Sequence, residues 1–260
     1  RGQNYSRGTV SFNGPTIYSY SHFPLAVRLD WGYLVNGDRV SVTTSQHQAG
    51  VRRVLLEKDN ITIPFSALQS AGIDRRLVVK VNTEPDRQVA TGRFYDDGSP
   101  KMLHLMGRSV FIADGRHYLS GTDETMLNPW SGYFLAELPG PVATVREAIE
   151  VLKPLEVKAA EAAGVEVKRQ GEWFFIPMPD AYRPESMNRL VKHVSLIHQD
   201  SNRQRRHVVT ELVGGYDRCF VRGTVRHLAH EHKMLSLGKQ WHRVFENLEV
   251  RSFRSACRVD

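Results

Sequence analysis

The chain has 260 residues, 41% apolar and 24% charged, enough for one large domain or two small ones with their own cores. No apolar run approaches the roughly 20 residues that carry a helix across a bilayer, so no membrane span is expected. The net charge is +7, and all of it falls in residues 183–260, which hold 15 Lys and Arg against 8 Asp and Glu.

The opening "RGQNYSRGTVSFNG" lacks the apolar stretch of a secretory signal, and the missing initiator Met leads us to expect a further N-terminal piece. Cys219 and Cys257 are the two cysteines, 38 residues apart and without C-x-x-C spacing. We read them as reduced thiols in a cytoplasmic protein.

The first part reads as strands and tight turns. Asn13-Gly14 divides two β-prone runs, and Asn36-Gly37 repeats the device, with Val40 and Val42 resuming the alternation. A β-meander over about 8–44 is predicted. Ser45-x-x-Gln48 has the form of a capping box, followed by an apolar stripe of Val51, Val54 and Leu55, so a helix should begin there. "SALQSAG" (66–72) predicts a short helix closed by Gly72. "RRLVVKVN", "GRFYDD", "HLMGRSVFIADGRHYLSG" and "YFLAEL" predict further strands.

Pro139-Gly140-Pro141 ends the strand-rich part. Thr144-x-x-Glu147 is a second capping box, and Val145, Ile149, Leu152 and Leu155 recur at helical spacing. Pro154 should kink or split this helix. "VEVKRQGEWFFIPMP" reads as one strand with Trp173 and Phe175 on one face and Phe174 and Ile176 on the other. "PESMNRLVKH" fits a short helix or a loop. "RHVVTEL", "RCFVRGTVRH", "HKMLSL" and "WHRVFEN" read as strands. The prediction is an α+β, mainly β protein: a β-rich part over 1–141, a bent connecting helix over 142–163, and a basic β-rich part over 164–260.

Residues 227–242 contain four histidines: His227, His230, His232 and His242. On a regular strand His230 and His232 share a face, and two imidazoles on one face can ligate a metal such as zinc, iron or manganese. His227 has the opposite parity unless a turn at Leu228-Ala229 re-aims it. His207 and His242 lie on flanking strands and could face the same point. A carboxylate is missing from the pattern, since none follows the H-x-H pair closely, Glu231 has the wrong parity, and Glu211 and Glu246 are the remaining candidates.

The same region supports a different chemistry. Arg203, Arg205, Arg206, Arg222, Arg226, Lys233, Lys239 and Arg243 could line a groove for a phosphate backbone, with Trp241 as an exposed stacking surface. Phe220 and Phe245 are better explained as core. This reading requires the cations and imidazoles to share one outward surface. In the first part, the hydroxyl-rich "YSYSHFPLA" and "SVTTSQHQ" each carry one histidine, His22 and His47, and cap chemistry accounts for most of these residues. Nucleotide-binding glycine motifs, a G-x-S-x-G elbow and paired H-x-[ST] motifs are absent, and the segment after His242 does not suit an HNH nuclease.

"RQGEWFFIPMP" and "CFVRGTVRHLAHEHKML" resemble a widespread bacterial and phage domain with an Arg-Gln-Gly-Asp strand and a later Gly-Glu-Val-Thr-Gly-His-x-His segment. The matching positions are Arg169, Gln170, Gly171, Gly223, Thr224, Val225, His230 and His232. Glu172 and Arg226 depart from it. "IYSYSHFPLAVR" with "SVTTSQHQ" is similar to short phage and plasmid proteins. Together these cover about half the chain and imply a mobile-element setting without assigning a reaction. Two expectations emerge: a nucleic-acid-associated accessory protein binding through its basic C-terminal part, or a metal-dependent enzyme or sensor built on the histidines. A third, an assembly protein whose basic face meets an acidic partner protein, stays open beside them.

Overall fold

The computed structural model describes residues 5–7, 9–38, 40–55, 58–85, 87–94, 98–123, 133–185, 187–196, 207–215, 218–228, 232–248 and 251–253. The protein is mainly β, of α+β class, and divides into two units. The first holds residues 1–122, 133–150 and 249–260; the second holds 123–132 and 151–248.

The first unit opens with a meander of β1 (Tyr5–Arg7), β2 (Val10–Asn13), β3 (Thr16–Ser19), β4 (Phe23–Leu29) and β5 (Gly32–Asn36). Helix α1 (Val42–Leu55) then crosses over to β6 (Asn60–Ile63), which pairs with β5 in parallel. The predicted hairpin at Asn13-Gly14 is present, with Asn13 opposite Thr16 and Gly14 at φ +57°. The one expected at Asn36-Gly37 is not: the last hairpin of the meander turns at Asp30-Trp31, where Leu29 faces Gly32. Asn36 is spent differently. Its Oδ1 accepts from the N–H groups of Asp38 (2.9 Å) and Phe65 (3.1 Å), and its Nδ2 donates to Pro24 O at 2.8 Å. Gly37 packs where a Cβ would press on Pro64 N at 3.0 Å. The chain therefore turns into α1 instead of returning as a strand, and Val40 and Val42 stay exposed.

α1 begins three residues before the predicted box. Ser41 caps it, its Oγ accepting from Thr44 N at 3.2 Å, while Gln48 donates to Asn36 O (3.1 Å) and Asp38 O (2.6 Å). α2 (Phe65–Ser70) ends at Gly72, φ +70°, as predicted. β7 (Val79–Thr83), β8 (Arg87–Phe94), β9 (Pro100–Leu105), β10 (Ser109–Ala113), β11 (Arg116–Thr122) and β12 (Tyr133–Glu137) come next. β8 pairs with β9, and β7, β10, β11 and β12 form an antiparallel sheet. Val27, Leu34, Ile63, Leu68, Phe111, Tyr118 and Leu135 share one core, while Ala26, Val35 and Leu55 pack with Val51 as a smaller cluster.

The bent helix is two helices, α3 (Val145–Leu152) and α4 (Leu155–Ala162), split at Pro154. Thr144 Oγ1 accepts from Glu147 N at 3.1 Å, as the capping box requires, while Glu147 Oε2 reaches one residue further and accepts from Ala143 N at 2.7 Å. The unit boundary falls at 150/151, inside α3.

The second unit is one six-stranded antiparallel sheet in the order β13-β14-β18-β17-β16-β15. Its strands are β13 (Lys168–Gln170), β14 (Trp173–Pro177), β15 (Val191–Ser195), β16 (His207–Gly214), β17 (Cys219–His227) and β18 (Leu235–Glu246). The single strand expected over "VEVKRQGEWFFIPMP" is β13 and β14 joined by a turn at Gly171-Glu172, with Gln170 opposite Trp173. Trp173 and Phe175 share the core with Val209, Val221, Val225 and Leu237, as the predicted alternation requires. The strands expected at "HKMLSL" and "WHRVFEN" are one continuous β18. Leu248 N donates to Leu152 O at 2.8 Å, tying the exit of residues 151–248 to its entry. The predicted second part ran to 260, but β19 (Arg251–Phe253) pairs with β12 in the first unit.

β17 carries an extra residue. Val221 faces Leu212 and Arg222 faces Glu211, a register that would set Arg226 against His207. Gly223 and Thr224 together oppose Thr210, and beyond this bulge His227 faces His207 instead. Gly223 has φ +91°, and a Cβ there would stand 2.6 Å from Thr210 Cβ. Gly238, φ +70°, has open space at the same position. Gly223→Ala should destabilise the protein by about 2 kcal/mol or more, against about 1 kcal/mol for Gly238→Ala, measured by urea denaturation.

Candidate metal centre

Two neighbouring strands and the connection that follows the second bring imidazoles to one end of the second sheet. His207 begins β16, His227 ends β17, and the pairing sets them side by side with ring centroids 4.8 Å apart, edge to face. His232 lies in the connection from β17 to β18, 5.5 Å from the His207 ring and 5.2 Å from the His227 ring. One ring nitrogen from each of the three lies within 4.8 Å of the others. The side chains are buried, at 1%, 2% and 8% exposure for His207, His227 and His232.

The turn between β13 and β14 closes the site. Gln170 is buried and donates from Nε2 to Lys233 O at 2.5 Å, pinning the segment that carries His232. Lys168 donates to Ser236 O at 2.9 Å, and Arg169 Nε donates to Gly171 O at 2.8 Å. Gly171 adopts φ +59°. Glu172 then places Oε1 3.7 Å from His207 Nδ1.

The structure brings together three of the five histidines singled out from the sequence. His230 lies outside the described residues. The turn expected at Leu228-Ala229 begins at Leu228, and His232 joins His227 despite the parity argument. His242 is elsewhere: it faces Pro177 and Val221, six residues along β17 from His227, about 20 Å at the rise of a strand. A carboxylate that the sequence pattern did not supply, Glu172, stands beside His207, and it comes from the β13–β14 turn at the opposite edge in strand order. Glu211 instead pairs with Arg222 at 2.5 Å. Reading Gly171-Glu172 as a turn, and not as mid-strand, would have placed that carboxylate beside the β16–β17 pair.

The basic residues divide. Arg203, Arg205 and Arg206 lie outside the described residues. Arg226, Lys233 and Lys239 are exposed. Arg222 stacks over Trp241 at 4.6 Å, and Arg243 over Phe245 at 4.7 Å. Trp241, expected at the surface, is 2% exposed. The histidines His207, His227, His232 and His242 are likewise buried, so they do not share an outward surface with the cations. Burial pushes the Cys219 thiol up to about 12, which leaves it protonated and unreactive; Cys257 lies outside the described residues.

In the first unit, His47 bridges two hydroxyls, Nδ1 to Ser19 Oγ at 2.8 Å and Nε2 to Thr9 Oγ1 at 3.0 Å, while His22 Nδ1 meets Tyr20 O at 2.7 Å. Among the described residues no helix is long and apolar enough to cross a membrane. Compared with protein families, with curated proteins and with solved structures, the chain matches none.

Burial lowers the pKa of His242 below its ordinary value, against a raising contribution from the Gln240 carbonyl and with a smaller lowering one from Lys168. A base depressed in the folded state costs nothing above its unfolded pKa and opposes folding as pH falls through that value. Stability should therefore decline below about pH 6.5, the ordinary histidine value. Denaturation of a His242→Leu variant across pH 4–8 should show a shallower acid decline.

Proposed function

We propose that the second unit binds a divalent transition metal through His207, His227 and His232, and that the protein is a metal-dependent enzyme or sensor. The convergence of three buried imidazoles, from the start of β16, the end of β17 and the connection after it, carries this reading. Histidines within a few ångströms of one another cannot all be charged in a buried site without large cost, whereas neutral imidazoles offer lone pairs that a cation satisfies. Ligand nitrogens on a tetrahedral ion sit about 2.0–2.1 Å from it and so about 3.4 Å apart; small ring rotations close the remaining distance. An all-nitrogen set favours zinc or iron over manganese, which prefers oxygen ligands. Metal-free protein dialysed against zinc should take up one ion per chain by elemental analysis. His227→Ala should weaken uptake by about a hundredfold or more, while His47→Ala, in the other unit, leaves it unchanged.

A second reading rests on the exposure of Arg226, Lys233 and Lys239: a nucleic-acid-associated accessory protein of a phage or mobile element, the setting the sequence resemblance suggests. It no longer draws on the histidines or Trp241. Titration of DNA and RNA binding against salt tests it. Each of these cations replaced by Ala should lower the log–log salt slope by about one. Silence at low salt removes this reading, and capture of an acidic protein that nucleic acid does not displace replaces it.

A further inference from the structure

Two neighbours of the histidine group have roles that its ligand count alone does not describe. Both roles rest on the metal site proposed above.

The first neighbour is Gly171. A Cβ built there would stand 3.2 Å from His232 Nε2 and 3.4 Å from His207 Nε2, so the Nε2 atoms of two rings face the same small volume that this glycine leaves empty. The second is Glu172. Its carboxylate lies beside Nδ1 of His207, the nitrogen on the far side of that ring, and it is not among the groups whose ligand atoms converge. At 3.7 Å the two are just beyond hydrogen-bonding distance; once that gap closes, a carboxylate on the outer nitrogen fixes the ring tautomer so that Nε2 presents its lone pair inward, and it raises the basicity of that nitrogen.

We infer that this is a three-histidine centre with one coordination position kept for a non-protein ligand, that Gly171 keeps the position open, and that Glu172 is a positioning residue and not a ligand. The ligand class is water, hydroxide or a small anion. Among the described residues three nitrogens converge, which leaves a tetrahedral ion one ligand short, the pattern of catalytic and not of structural sites. The burial of all three rings restricts the remaining ligand to a few atoms. The chemistry on offer is then a bound water acidified by the ion, or a small anion exchanged for it.

The turn offers a competing account of Gly171, because φ +59° alone favours glycine. Asparagine tolerates that conformation, so Gly171→Asn preserves the turn and fills the space. Gly171→Ala serves as a second variant. The full-length protein is stripped of metal, loaded with cobalt(II), and titrated with azide while the visible cobalt bands are recorded.

In the unaltered protein, one cobalt per chain should give bands that move as azide binds. In Gly171→Asn and Gly171→Ala, cobalt should still bind while azide affinity falls at least tenfold. Glu172→Gln should weaken cobalt binding by about ten- to a hundredfold without changing band intensity, since the coordination number is unchanged, and Glu172→Asp should restore part of the loss. Bound cobalt that ignores azide in the unaltered protein overturns the open position and leaves the metal site standing. Azide binding in Gly171→Asn equal to that of the unaltered protein assigns the glycine to the turn alone. A band pattern transformed by Glu172→Gln makes Glu172 a ligand. Failure of the unaltered protein to take up cobalt defeats the metal site itself.

Discussion

One inserted residue governs the second unit. Antiparallel pairing is unforgiving: once two strands are set, every opposite pair along them is determined, and a change of one residue changes them all. The bulge at Gly223-Thr224 is such a change, made in mid-strand. Below it β16 and β17 pair in one register, and above it in the next, which exchanges Arg226 for His227 opposite His207. A guanidinium in that place would face an apolar interior bounded by Val209 and Val225, whereas an imidazole can be neutral there. The local cost of a left-handed backbone at Gly223 is thus tied to which side chains meet at the end of the sheet, and Thr210 holds the arrangement by accepting from Thr224 N at 2.9 Å.

The sequence shows the elements more clearly than their connections. Alternation located the core face of Trp173 and Phe175, and the local residues located the helix breaks at Pro154 and Gly72 and the Thr144 cap. It failed where a polar residue works at long range. Asn36-Gly37 has the composition of a hairpin turn, yet Asn36 receives a hydrogen bond from backbone 29 residues away, a use that no local pattern announces. The same limit applies to the site. His207, His227 and His232 were visible as residue types, but their selection from five candidates depends on the bulge and on the β17–β18 connection. Glu172 was hidden by its distance in sequence and by an apolar context that reads as uninterrupted strand. Trp241 looked exposed because Gly238 and Lys239 precede it; Arg222 covers one face of its ring.

The two units place their buried polar groups differently. In the first, Asn36, Gln48 and Asp38 form a knot of side-chain-to-backbone hydrogen bonds that joins the end of β5 to α1 and α2. Its members satisfy one another, and such networks fix a unique arrangement. In the second, the buried imidazoles stand ring against ring, a grouping whose nitrogens suit a shared cation. That contrast separates polar burial that completes a fold from polar burial that serves the proposed metal site.

The return of β19 to β12 has a consequence for how the chain is made. Residues 151–248 form an insertion within the first unit, entered and left at backbone groups 2.8 Å apart. During synthesis the rim of the first unit's second sheet stays unpaired at β12 until the whole insertion has emerged, a delay of several seconds at ribosomal speeds of about 5–20 residues per second. An uncovered strand edge invites pairing with other chains for as long as it lasts. Folding of residues 151–248 brings Leu152 and Leu248 together and so shortens the loop that pairing of β19 with β12 has to close.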